Sequence, residues 1–160
     1  MTDFQWPAPP PRLSDEEWSA VESFLGRPII NRESGDHAFW EDTYANDHSL
    51  LDNFNRLAWL GDRVLNLAIA DWREATVGPM KRWDGTGYQA VAQSQRVAVE
   101  VWWGWPDRMR LMLRLGNTKR GAANPKIIAT YTEAVVGLVF REHGYEAARE
   151  FVWRFWLHMA

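Results

Sequence analysis

The sequence predicts an all-α domain, and three observations carry that prediction. Apolar residues recur at three- and four-residue spacing through several long segments, no segment alternates with period two over a useful length, and glycine or proline closes most periodic runs. At 160 residues the chain fits one domain and can bury roughly 70% of its unfolded surface. Its composition is globular, with 46% hydrophobic and 24% charged residues and no internal repeat. The absence of cysteine excludes disulfides and thiolate metal sites. No apolar run approaches the roughly 18 residues of a membrane span, so no membrane partner is expected. The opening residues lack both the apolar core of a secretory signal and the arginine-rich character of a transit peptide, so the default expectation is an intracellular, cytoplasmic protein.

The elements follow in order. Residues 1–12, with the run PAPPPR, predict an extended Pro-rich tail, and residues 13–160 a single domain. Ser14 suits an N-cap, Asp15, Glu16 and Glu17 suit the positive end of a helix, and Gly26 stops that helix after Trp18, Val21, Phe24 and Leu25. Residues 27–52 are broken and acidic, with short helical turns. The strongest helix runs from Asn53 to about Val77, its apolar stripe formed by Phe54, Leu57, Leu60, Val64, Leu65, Ala68, Ile69 and Trp72. A further helix runs from about Tyr88 to Trp103, and Asp107 can cap a shorter one reaching Leu115. A polar loop leads to a helix from about Lys126 to His143, Gly144 ends it, and Tyr145 to His158 form the last.

Within that strongest helix stand a carboxylate, Asp62, and Gly61, which costs an exposed helix about 1 kcal/mol relative to alanine. Net charge is −3, so nucleic-acid affinity is not advertised by the chain as a whole. Tryptophan is over-represented at 11 residues; most of these rings suit a core or a subunit interface, and a stacking surface for bases is the lesser reading.

The run Phe54-Asn55-Arg56-Leu57-Ala58-Trp59-Leu60-Gly61-Asp62 resembles the signature helix of the ribonuclease III catalytic domain, whose pattern is close to Asn-Glu-Arg-Leu-Glu-Phe-Leu-Gly-Asp. A second run, Ile127-Ile128-Ala129-Thr130-Tyr131-Thr132-Glu133-Ala134-Val135-Val136-Gly137, resembles the family's Ile-Leu-Ala-Asp-x-x-Glu-Ala-Leu-Ile-Gly. Phe24-Leu25-Gly26 with Ile30-Asn31, His48-Ser49, Trp103-Gly104-Trp105 and Tyr145-Glu146-Ala147-Ala148 are similar to further family segments. The resemblance spans roughly residues 13–158 and implies a helical endonuclease-domain bundle, magnesium-dependent cleavage of double-stranded RNA and a homodimer.

In that family four carboxylates gather the metal, two from each motif helix. Asp62 and Glu133 occupy two of those positions as candidate remnant catalytic and metal-binding residues, while Ala58 and Thr130 replace the other two. A carboxylate and Mg²⁺ about 4 Å apart attract with a gross energy of order 8 kcal/mol at an effective dielectric of 20. Losing two such ligands predicts Mg²⁺ held weakly, with double-strand cleavage weak or lost. Gly61 then reads as a close-approach position at a helix crossing, and Trp59 as the aromatic that enters the other subunit of the dimer.

Arg56 or Arg63 could pair with the two acids as a purely structural alternative. Glu41, Asp42, Asp47 and Asp52, with His37 and His48, read as a solvated loop and, alternatively, as a rebuilt site beside Asp62. His143 and His158 suit carbonyls near helix ends. Arg108, Arg110, Arg114, Lys119, Arg120 and Lys126 form an acid-free stretch suited to RNA phosphates, with Asn117, Thr118 and Asn124 beside it. No double-stranded-RNA-binding module follows within the 160 residues. Three readings result: an RNA-associated relative with weak or lost cleavage, an active endoribonuclease with a rebuilt site, and a repurposed scaffold accepting a small molecule in the former metal cleft. The first is preferred.

Overall fold

A computed structural model describes residues 12–77, 94–117 and 124–156. The described residues form helices α1 (Asp15–Leu25), α2 (Arg32–Gly35), α3 (Asp42–Asp47), α4 (Asn55–Val77), α5 (Ser94–Trp103), α6 (Asp107–Arg110), α7 (Pro125–His143) and α8 (Tyr145–Trp156), with a 3₁₀ turn at Asp36–Phe39. The all-α prediction holds. The expected tail falls almost wholly outside the described residues, as do the expected starts of α5 and the last two residues expected of α8. Among the described residues no helix is long and apolar enough to cross a membrane.

Local chemistry sets the ends. In α1, Ser14 accepts from the Glu17 N–H at 3.1 Å while the Glu17 carboxylate accepts from the Ser14 N–H, so two orphan donors are satisfied reciprocally. Gly26 closes it in the left-handed region, at φ 71°. Asn124 caps α7 by accepting from the Ile127 N–H at 3.0 Å, and Pro125 fills the first helical position, where no N–H is missed.

Helix α7 is the axis of the fold. It buries residues on all sides, from Ile127 through Val139, and packs against α4, α5 and α8. An aromatic cluster fills the far end: Trp105 lies 5.4 Å from the Tyr131 ring and 5.5 Å from Phe24, and the Tyr131 hydroxyl donates to the Met109 carbonyl at 2.7 Å.

The expected helix from Asp107 to Leu115 is much shorter. It ends at Arg110 because the chain then turns into an extended bridge, in which the Arg114 N–H donates to the Phe39 carbonyl at 2.7 Å and the Arg114 carbonyl accepts from the Glu41 N–H at 3.1 Å. Asp107 does not cap that helix; it stands inside it and pairs with Arg110. The acidic segment before α4 is also less solvated than expected. Glu41 is 1% exposed, its carboxylate accepting from the Thr43 N–H and hydroxyl, and Asp36 is buried, accepting from the Leu13 N–H and the Trp18 ring N–H.

Candidate functional site

Helices α4 and α7 cross in backbone contact. A Cβ placed on Gly61 would stand 1.6 Å from the Glu133 carbonyl oxygen, and one on Gly137 would stand 2.1 Å from the Leu57 carbonyl oxygen. No side chain fits at either position, so the sequence pays the helix cost of two glycines to bring the helices together. The pairing of 61 with 133 and of 57 with 137 makes the helices antiparallel, and it sets Asp62 beside Glu133.

The two acids feel each other. Burial, and secondarily the neighbouring Asp62 charge, push the Glu133 carboxyl up to about 7. No described cation pairs with either of them. Arg63 turns back on its own helix, donating to the Trp59 carbonyl at 2.9 Å with its guanidinium 3.8 Å from the Trp59 ring centroid. Arg56 lies 3.8 Å from Asp52. The expectation that Arg56 or Arg63 would neutralise these acids is therefore corrected: each has a nearer partner.

The replaced positions offer little. Ala58 is 4% exposed and contributes a methyl group. The Thr130 hydroxyl donates to the Lys126 carbonyl at 2.8 Å, one turn earlier in its own helix. Among the described residues no three His, Asp or Glu side chains converge in a way that could hold a metal ion. The loop acids are occupied elsewhere: Asp47 accepts from the Asn117 N–H at 2.8 Å, and Asp52 stands 3.4 Å from His37 Nδ1. His48 packs on the Tyr44 ring. His143 contacts the Pro28 carbonyl at 2.6 Å, in keeping with its expected role, while His158 lies outside the described residues.

The basic stretch divides. Arg110 pairs with Asp107 and lies 5.2 and 5.3 Å from the Trp102 and Trp103 ring centroids, and Arg114 is tied to Glu17 at 2.5 Å. Arg108 and Lys126 are exposed and make no ion pair with a described residue. Thr118, Lys119 and Arg120 lie outside the described residues. Asn124, grouped above with the phosphate contacts, spends its side chain on the α7 cap. Trp59 is 63% exposed, on the side of α4 turned away from the core.

A feature not singled out from the sequence is a cleft of roughly 420 Å³ beside the start of α4, where His37, Asp52, Arg56 and Arg141 meet Leu57, Leu60 and Trp59. These residues come from four separate segments. Arg141 is 85 positions from Arg56, so only the antiparallel crossing of α4 and α7 reveals their proximity.

No family model matches the chain. Among curated proteins it is similar to Ribonuclease 3 of Moorella thermoacetica, 34% identical over 130 residues that cover 78% of this chain and 54% of that protein. Ribonuclease 3 of Rhizobium rhizogenes is 29% identical over 152 residues, covering 91% and 61%. The chain thus spans between about half and three fifths of the length of these relatives. Among solved structures, the nuclease domain of ribonuclease III from Campylobacter jejuni superposes with a TM-score of 0.71 at 19% identity, covering 91% of this chain and 95% of that one. A second structure of that domain, described for flexibility in a region involved in its dimer formation, gives 0.70 over 84% and 92%. At 19% identity these two speak for the fold alone.

Proposed function

The chain belongs to the ribonuclease III catalytic-domain family, and from that premise we propose that it is an RNA-associated member whose double-strand cleavage is weak or lost. The observation that carries this reading is the donor set at the α4–α7 crossing. Asp62 and Glu133 are the acids there, Ala58 has no donor atom, and the Thr130 hydroxyl is already bonded to a carbonyl. Paired magnesium ions bridged between attacking and leaving oxygens need several anionic oxygens at once. These residues do not fit such a pair; a single weakly held Mg²⁺ with water completing its shell is the most they suit.

The RNA surface in this reading runs from the crossing to Arg108 and Lys126, whose charges have no protein partner among the described residues and suit phosphates. Lys119 and Arg120 extend it in sequence. We take residues 13–160 as one domain acting as a homodimer, with the exposed Trp59 entering the second copy. Replacing Trp59 with alanine then converts the dimer to monomer in light scattering, and an unchanged mass refutes that assignment.

The decisive experiment incubates the protein and its D62N/E133Q variant with duplex RNA in Mg²⁺ or Mn²⁺. The expected result is binding that falls linearly in log–log form with salt, and no cleavage above the variant's background. Efficient cleavage lost in D62N/E133Q overturns the inactive-site reading, and absence of duplex binding at low salt overturns the RNA reading.

A further inference from the structure

We infer that the cleft beside the start of α4 is a binding site for a nucleoside monophosphate unit, its phosphate held by Arg56, Arg141 and His37 and its ring system against Leu57, Leu60 and Trp59. This site is separate from the crossing that holds Asp62 and Glu133, and the inference does not rest on the proposed function.

The first argument is charge. The groups that act on the His37 ring are Asp52 at 3.4 Å, Arg141, Arg12 and Arg56. Arg12 is engaged by Glu33 at 3.1 Å and lies 4.0 Å from Asp36. Asp52 is divided between His37 and Arg56, which it meets only at 3.8 Å. Arg141 has no ion pair with a described residue, although α7 brings it to the cleft wall. The cleft is thus positive within a chain of net charge −3. Two guanidinium groups present forked donors matched to phosphate oxygens, and Ser34 adds a hydroxyl on the same lining.

The second argument is shape and polarity. A volume of roughly 420 Å³ lies within the range of small-ligand sites. The cations sit against the leucine pair and the Trp59 ring, and Arg63 braces that ring at 3.8 Å. An inorganic anion would leave this apolar wall unused, whereas a planar base covers it. The third argument is the histidine. Burial lowers the His37 pKa, with Arg141, Arg12 and Arg56 acting in the same direction and Asp52 opposing. Asp52 beside Nδ1 fixes the ring and leaves Nε2 as the free nitrogen. A bound phosphate supplies the negative charge that this environment lacks, so binding must raise the His37 pKa.

The test uses the whole chain and follows the imidazole signals of its four histidines by NMR, with H37Q assigning His37. Probes are AMP, adenosine, and a single-stranded RNA tetranucleotide with or without a 5′-phosphate. AMP is expected to move the His37 signal and raise its pKa, and adenosine to bind at least tenfold more weakly. R56Q and R141Q are each expected to lose about tenfold or more in affinity, while thermal unfolding stays unchanged. AMP binding as tightly as the phosphorylated tetranucleotide identifies a free nucleotide; preference for the tetranucleotide identifies an RNA end. Equal binding of adenosine, no binding of either phosphate probe, or unchanged affinity in both arginine variants overturns the inference. AMP binding that appears only in W59A also overturns it, because the cleft is then filled by the Trp59 of a second copy. Duplex RNA with 5′-hydroxyl ends, titrated separately, reports on the proposed function and leaves this result independent.

Discussion

Replacing Glu133 with glutamine removes a carboxyl that the fold prefers protonated. Its folded pKa is about 7 against an ordinary 4.5, chiefly through burial and then through Asp62. The folded state therefore binds a proton that the unfolded state has released across that window, and stability falls as pH rises from about 4.5 to above 7. Moving a carboxyl over that span corresponds to roughly 3.4 kcal/mol. Partial solvent access to Glu133 reduces the effect to about 2 kcal/mol. E133Q keeps the shape without the charge, so at pH 8 it is expected to be more stable than the parent by about 2 kcal/mol, or about 4–8 °C in Tm for a chain of this size. At pH 4 the two should nearly coincide. Urea titrations of both proteins at several pH values give the difference directly, and taking the difference cancels His37, Asp36, Glu41 and every other group that titrates in both. Parallel stability curves, with no divergence between pH 4.5 and 8, refute the placement of Glu133 beside Asp62 in a poorly solvated crossing.

Other outcomes follow from the same geometry. G61A, despite a better helix propensity, is expected to lose more than about 3 kcal/mol by urea unfolding or to fail to fold, because its methyl meets the Glu133 carbonyl. N124A removes the α7 cap and is expected to cost about 1 kcal/mol, read from the shift in the urea midpoint at constant slope. A58E/T130D restores carboxylates at the two replaced positions; calorimetry should show Mg²⁺ binding at least tenfold tighter than the parent, and no gain would mean that these positions do not face the Asp62–Glu133 pair.

Much of the frame was legible because its signals are local. Ser14 with Glu17, and Gly26 and Gly144 as terminators, act within one helical turn and fall where the sequence places them. The glycine at 61 was legible through the motif, and Gly137, the last residue of the second motif, is its counterpart in the crossing. What misled was chemistry with two local uses. Asn124 followed by Pro125 is a capping signal, yet amid Lys119, Arg120 and Lys126 it also reads as a phosphate contact. Arg110 and Arg114 carry the charge expected of an RNA surface, but their partners, Asp107 and Glu17, are found only once the chain is folded. Glu41 belongs to an acidic run that reads as solvated, and its burial comes from the bridge to Arg114, a pairing of segments more than 70 residues apart. The cleft at His37 was invisible for the same reason, since His37, Asp52, Arg56 and Arg141 share no motif.

The glycine crossing has a consequence for how such a protein can change over generations. The contact that locks the two helices is made by main-chain atoms at 61 and 137, whereas the reactive groups hang one position along, at 62, and one turn back, at 133. Loss of chemistry at 58 or 130 therefore leaves the architecture undisturbed, and so would its return. Catalysis can be switched off and on by drift in side chains while selection continues to hold the frame.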